Sequence, residues 1–220
     1  MATKTQSESP VSPDRKEIAA DLFAGLEDIK GINKLRQIYL TDKREERCVK
    51  AFRDIIFKQE FPKNRLPAAY KIAGQEASVP GSSYLWGQTR NDIENFIEKR
   101  KADDPAYLLG IIRDPECGAN LCASCLRVLF WHQYPDTQED IEALRDEAVR
   151  VYIDNIPAYR PGPEGKEYCI RQLALAIPEN YHERYGIKVS HHTYEDEDQF
   201  GRNTATATEI TFRRETILYR

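Results

Sequence analysis

Cys117, Cys122 and Cys125 fall within nine positions of one another in DPECGANLCASCLRVLFWHQY, residues 114–134, and are three of the chain's five cysteines. Thiols this close invite four kinds of chemistry. With Cys169 downstream, their spacings are the first ones of a plant-type two-iron, two-sulfur site. Yet Leu121, Cys125, Leu126, Leu129 and Phe130 recur at helical spacing, which leaves no irregular loop around Cys125 whose amides could reach the sulfurs. Zinc held with His132 fits no common structural spacing. Cys122-x-x-Cys125 at a helix start fits a dithiol redox pair, whose first thiolate the helix N-terminus stabilises, although no proline or glycine accompanies it. The fourth chemistry is nucleophilic: cysteine hydrolases place a thiolate at a helix N-terminus, beside a turn that offers backbone N–H groups as an oxyanion hole. Against all four stands core filling, because cysteine packs as a small apolar residue.

A nucleophile needs a base. The papain arrangement puts its histidine about 130 residues or more downstream, and only 95 residues follow Cys125. His132 lies two to three turns further along the same helix, and His182 in ENYHERY reads as a surface position. His191 and His192 follow a strand in a polar loop, the one place from which an imidazole can swing toward a distant cysteine. The candidate catalytic set is therefore Cys122, placed in the first helical turn, with His191 or His192 as base; the bland reading of the pair is two solvated loop histidines. No cofactor and no metal ion is called for.

The elements that must position these groups follow from periodicity. Residues 1–12 read as a flexible tail. A helix from the Ser12-Pro13 cap, with Ile18, Leu22, Phe23, Leu26 and Ile29 on one face, stops at Gly31. A second (Ile32, Leu35, Ile38, Tyr39) and a third (Cys48, Val49, Phe52, Ile55, Ile56) make residues 13–60 a helical segment. Prolines 62, 67 and 80 and the small residues around them make 61–88 an irregular arm or linker that carries an exposed Trp86. Residues 89–220 then read as an α+β domain. Asn91 to Glu94 forms a capping box, YLLGIIR (107–113) a buried strand, and the cysteine segment a helix with Trp131 in the core. Further helices follow over 137–155, capped at Asp136 or Thr137, and over 167–176. YGIKV, TEITF and TILY pair as strands in one small sheet, separated by the acidic and polar loop HHTYEDEDQFGRNTATA, in which YEDED reads as solvated or, less simply, as a partner site. The fold class expected is α+β, an N-terminal helical hairpin or bundle before a unit with a small C-terminal sheet.

The stretch from Gly110 to Asn155 resembles the ovarian tumour (OTU) family of cysteine proteases. Gly118-Ala119-Asn120-Leu121-Cys122 stands in for the family's Asp-Gly-Asn-Cys turn, and Leu144-Arg145 with Val151-Tyr152-Ile153-Asp154-Asn155 for its second helix. Glu167 to Ala176 and Tyr185 to Val189 look like its later helix and strand. The resemblance implies an OTU-like hydrolase domain acting on or binding ubiquitin-like conjugates, with Cys122 as nucleophile and the amides of Gly118 to Leu121 as oxyanion donors. Two departures go with it: one extra residue separates Asn120 from Cys122, and no histidine follows the last strand, where the family keeps its base. The alternative is a non-catalytic protein-interaction protein whose clustered cysteines are core residues.

Composition narrows the partner. The chain has 220 residues, 40% of them hydrophobic, enough for a real core. Residues 1–110 carry 19 Lys and Arg against 17 Asp and Glu, and residues 111–220 carry 13 against 19. Neither half has the clustered basic charge that nucleic-acid binding needs; the acidic half favours a basic protein partner. No apolar run suits a signal peptide or a membrane helix, and the odd, uneven cysteine set reads as reduced thiols, so a cytoplasmic protein with a protein partner is expected.

Overall fold

The computed structural model describes residues 23–42, 45–58, 61–78, 82–99, 104–134, 138–159, 163–198, 201–213 and 215–219. The chain divides into two compact units, residues 1–93 and 94–220. The architecture is helix-dominated α+β with one small antiparallel sheet, as the sequence implies.

In the first unit the helix expected to end at Gly31 is absent from its described part. Phe23–Gly31 is a chain of turns, in which the amides of Leu26, Ile29 and Ile32 each bond the carbonyl three residues back, and Gly25 takes a φ of +83° that only glycine adopts freely. Phe23 and Leu26 are nonetheless fully buried. Helices α1 (Ile32–Thr41) and α2 (Glu45–Lys58) follow as read, burying Leu35, Val49, Phe52 and Ile56.

Residues 61–88 are not an irregular arm. A 3-10 turn over Lys63–Arg65 leads into α3 (Leu66–Ala77), and α4 (Tyr84–Lys99) begins within the same stretch. Pro67 sits in the first turn of α3, where a missing N–H leaves nothing unpaired. Ser83 starts α4 by accepting from the Leu85 amide at 3.3 Å. Asn91 to Glu94 thus lies inside a helix rather than capping one. Trp86, expected on an exposed arm, is fully buried with its ring 5.4 Å from that of Phe52.

In the second unit YLLGIIR is helix, not strand. Asp104 accepts from the Ala106 amide at 2.9 Å and Pro105 takes the first position of α5 (Pro105–Arg113), an N-cap and first-turn proline that outweigh a short apolar run. After a 3-10 turn (Pro115–Cys117) come α6 (Gly118–Trp131), α7 (Gln138–Asp154), α8 (Ile156–Tyr159), α9 (Pro163–Ala176) and α10 (Glu179–His182). The caps proposed at Asp136 and Thr137 lie outside the described residues. Helix α6 is the centre of this unit: it packs on α5, α7 and α9, and ten of its residues are buried.

Strands β1 (Ile187–Asp198), β2 (Gly201–Phe212) and β3 (Glu215–Tyr219) form one sheet in that order. TEITF, TILY and the last three residues of YGIKV pair as expected, with Val189 opposite Ile210 and Ile210 opposite Ile217, whereas Tyr185 and Gly186 end a 3-10 turn before the strand. Most of the supposed polar loop between the first two is strand too, because the pairing continues to Asp198 opposite Gly201; Gln199 and Phe200 lie outside the described residues. Among the described residues no helix is long and apolar enough to cross a membrane.

Candidate functional site

Cys122 is the fifth residue of α6 rather than part of its first turn. Its side chain turns inward, with Sγ 3.8 Å from the carbonyl oxygen of Ile111 on α5, and all five cysteines are free and buried. Burial pushes the Cys122 thiol up from the ordinary 9.0 to about 12; a hydrogen bond with Tyr159 works against this, and Asp114 and Cys169 add to it. A thiol so placed stays protonated at neutral pH, whereas a nucleophile requires the thiolate. The backbone of Gly118 to Leu121, the expected oxyanion donors, forms the first turn of α6 ahead of this buried sulfur.

His191 sits elsewhere, and the His192 side chain lies outside the described residues. His191 belongs to β1, not to a loop; it is exposed and its Nδ1 lies 3.0 Å from Thr208 Oγ1 on the paired strand. His192 follows in the same strand opposite Ala207. Among the described residues no interaction joins Cys122 to a histidine. His182, expected at the surface, is buried in α10 with Nε2 3.1 Å from the carbonyls of both Ala174 and Ile177. His132 ends α6 as its C-cap.

Several residues quoted for the OTU resemblance hold helix ends together. Ile112 exposes an end-of-helix carbonyl in the last turn of α5, and it accepts from Asn155 Nδ2 at 3.2 Å and from the Tyr159 hydroxyl at 3.3 Å. Tyr152 donates to the Cys169 carbonyl at 3.1 Å, and Tyr168 to Asn120 Oδ1. Arg145 does for α6 what Asn155 does for α5. Its guanidinium donates to the carbonyls of Leu129 (2.8 Å), His132 (3.3 Å) and Phe130 (3.4 Å), and it pairs with Glu142 at 2.6 Å. Orphan carbonyls at a helix end must find such donors when buried, so a buried arginine here is a cap.

The end of α6 that Arg145 fixes carries a feature the sequence reading missed. Trp131 is 67% exposed and Leu175 on α9 is 57% exposed. Trp131 Nε1 donates to the Ala176 carbonyl at 3.1 Å, which holds the indole in place at the surface. Both side chains border two hollows. One of about 640 Å³ is lined also by Arg127, His132 and Glu98, the last bonded to Arg127 at 2.5 Å and to Ser124 at 2.8 Å. The other, about 540 Å³, runs on to Arg171, Val189 and His191. A signal for this face existed: Trp131 and Leu175 each lie four residues after an arginine, Arg127 and Arg171, and i, i+4 positions share a helix face.

Among the described residues no group of three His, Cys, Asp or Glu side chains is arranged to hold a metal ion. No family model matches the chain, and neither a curated protein nor a solved structure shows significant similarity to it.

Proposed function

We propose that the chain is a non-catalytic protein-interaction protein that docks a partner on the Trp131–Leu175 face of its second unit. One observation carries this reading: a tryptophan stands mostly in water while its indole N–H is anchored to the backbone. A rigid, exposed aromatic offers contact area with little ordering cost, and tryptophan is enriched where interface energy concentrates. The unit that bears it has 16 Lys and Arg against 23 Asp and Glu over residues 94–220, a net −7, which favours the approach of a basic protein partner. The cysteines, in this reading, are core.

The OTU-like reading, a hydrolase of ubiquitin-like conjugates, is the competing proposal. It rests on the sequence resemblance and requires Cys122 to leave its buried place, to lose a proton and to meet His191 or His192. A ubiquitin-derived electrophilic probe separates the two. On the docking reading the intact mass of the chain stays unchanged; a covalent adduct that disappears in Cys122→Ser overturns it. Docking itself is read by the exposed indole, with a Lys- and Arg-rich, tryptophan-free protein as the first titrant: a covered Trp131 is shielded from acrylamide quenching, and Trp131→Phe removes the signal.

A further inference from the structure

The sheet of the second unit meets the helices sparingly. Of the ten strand residues whose side chains are described, Ile187–His191 and Thr208–Phe212, three are buried: Ile187, Ile210 and Phe212. All three lie on the first rungs of the ladder, Ile187 opposite Phe212 and Ile210 opposite Val189. On the next rung of the same face, His191 and Thr208 border the hollow of about 540 Å³ that Leu175 and Trp131 also line. Protein interiors are close-packed, so a hollow here means that this part of the ladder gains little burial from α9.

A set of polar bonds holds the chain just ahead of the sheet. Glu142 and Asp146 stand one turn apart on α7. Arg184, in the 3-10 turn Glu183–Tyr185, donates to Glu142 at 2.9 Å and to Asp146, and the Tyr185 hydroxyl donates to Asp146 at 2.9 Å. The Tyr181 hydroxyl of α10 donates to Glu142 at 2.8 Å, and the rings of Tyr181 and Tyr185 both pack edge-on against Phe130. Gly186 follows at once with a φ of +72°, which turns the chain into β1, and its carbonyl accepts from the Arg213 amide at 3.0 Å. The Arg184 and Asp146 side chains are 45% and 42% exposed, so each bond is individually weak and they act by number.

Segments with few buried apolar contacts open at lower free energy than the core they rest on. We propose that the sheet is a leaf that opens separately from the helices of this unit, and that Glu142 and Asp146 latch it shut through Arg184 and Tyr185. Once open, the leaf takes away one wall of the hollow beside Trp131, so the latch sets the shape of the docking face. The opening itself stands whether or not a partner binds there.

Amide hydrogen exchange on the full chain, resolved residue by residue by NMR, tests this. In the wild type the ladder amides of Ile187–His191 and Thr208–Phe212 exchange at least about tenfold faster than those of Leu121–Leu129 in α6. Arg184→Gln with Tyr185→Phe removes three latch bonds while keeping the Tyr185 ring and leaving Arg145 on Glu142. It speeds exchange in the sheet by a further factor of about ten and leaves α6 as it was, which also shows that the variant is folded. Arg184→Gln alone, at a half-exposed position, gives an intermediate rise. Arg150→Gln, which takes a charge from α7 away from the latch, changes neither. One protection shared by the sheet and α6 in the wild type overturns the proposal, as does a double variant that leaves sheet exchange unchanged or speeds α6 by the same factor.

Discussion

The two ends of helix α6 are built in opposite ways. At its start the side chains with the richest chemistry, Cys117, Cys122 and Cys125, are sealed from water, and the nearby polar groups Asn155 and Tyr159 serve the carbonyl of Ile112. At its far end a residue type that normally belongs to cores, Trp131, is held out into solvent, and a charged residue, Arg145, is buried as a cap on the last carbonyls. Reactive residue types thus lie at the sealed end of α6, and a large apolar residue at its exposed end. What decides is not the side chain's chemistry but whether water and another molecule reach it.

The sharpest way to break this contrast is to ask whether the cysteine end opens. A thiol whose folded pKa is raised stays protonated while the unfolded thiol ionises, so its stabilising contribution is complete below the ordinary value of 9.0 and is lost as pH rises through about 12. Each pKa unit corresponds to about 1.4 kcal/mol, so Cys122 alone makes alkaline unfolding easier by on the order of 4 kcal/mol across that range. Urea titrations at pH 8 and pH 11 capture about two thirds of this loss, and Cys122→Ala reduces the pH dependence, the remainder coming from Tyr152, Tyr159 and Tyr185, whose hydroxyls burial also pushes up. At pH 8 the native chain leaves Cys122 unlabelled by a thiol reagent until urea is added. Rapid labelling of Cys122 in the folded chain would show that this end is accessible and would revive the nucleophile.

At the other end, Arg145→Ala removes the donor from the carbonyls of Leu129, Phe130 and His132 and leaves Glu142 without its closest charge partner. The expected cost is about 3 kcal/mol, measured as a lower urea midpoint with unchanged slope. Burial pushes the Glu142 carboxyl up, but hydrogen bonds from Tyr181, Arg145 and Arg184 outweigh it and hold the group below its ordinary value. A depressed carboxylate adds stability above its unfolded pKa and loses it as pH falls through the folded one, so the wild-type chain weakens in acid and the Arg145→Ala chain does so less. An Arg145→Ala variant as stable as wild type would mean that the last turn of α6 does not need its cap.

Much of the helical framework is legible from residue spacing. Val49, Phe52 and Ile56 announce α2, and Ile141, Ala148 and Tyr152 announce α7. The errors share a cause, which is that local signals fit two outcomes. Pro67, which on its own reads as part of an irregular arm, sits in the first turn of α3, and Asp104-Pro105 starts α5. YLLGIIR is short and apolar, and such a run fits a buried helix and a strand equally until length and caps decide. Four carboxylates hide the strand character of residues 190–198, and that of 201–207 is written in Thr204, Thr206 and Thr208, which alternate with alanine as a strand should. For the site, the spacing of Arg127 and Trp131 was readable. The burial of Arg145 was not, since only the fold brings α7 under the end of α6.

The smallest stability effect belongs to the residue proposed to matter most for binding. Trp131→Ala deletes one hydrogen bond, to the Ala176 carbonyl, and a side chain that is already mostly solvated. A half-exposed hydrogen bond contributes about 1 kcal/mol or less, and surface substitutions away from caps and cores stay near this scale. The melting transition should therefore barely move. Fluorescence shows the change directly: the chain has two tryptophans, and with Trp131 gone the emission comes from the fully buried Trp86 alone, shifts to shorter wavelength and resists acrylamide. A partner that docks on this face then loses affinity without any loss of fold, which is the separation of binding from stability that a core tryptophan could not give. If Trp131→Ala instead lowers stability by several kcal/mol, the indole is packing rather than presenting itself, and the two ends of α6 are not opposites after all.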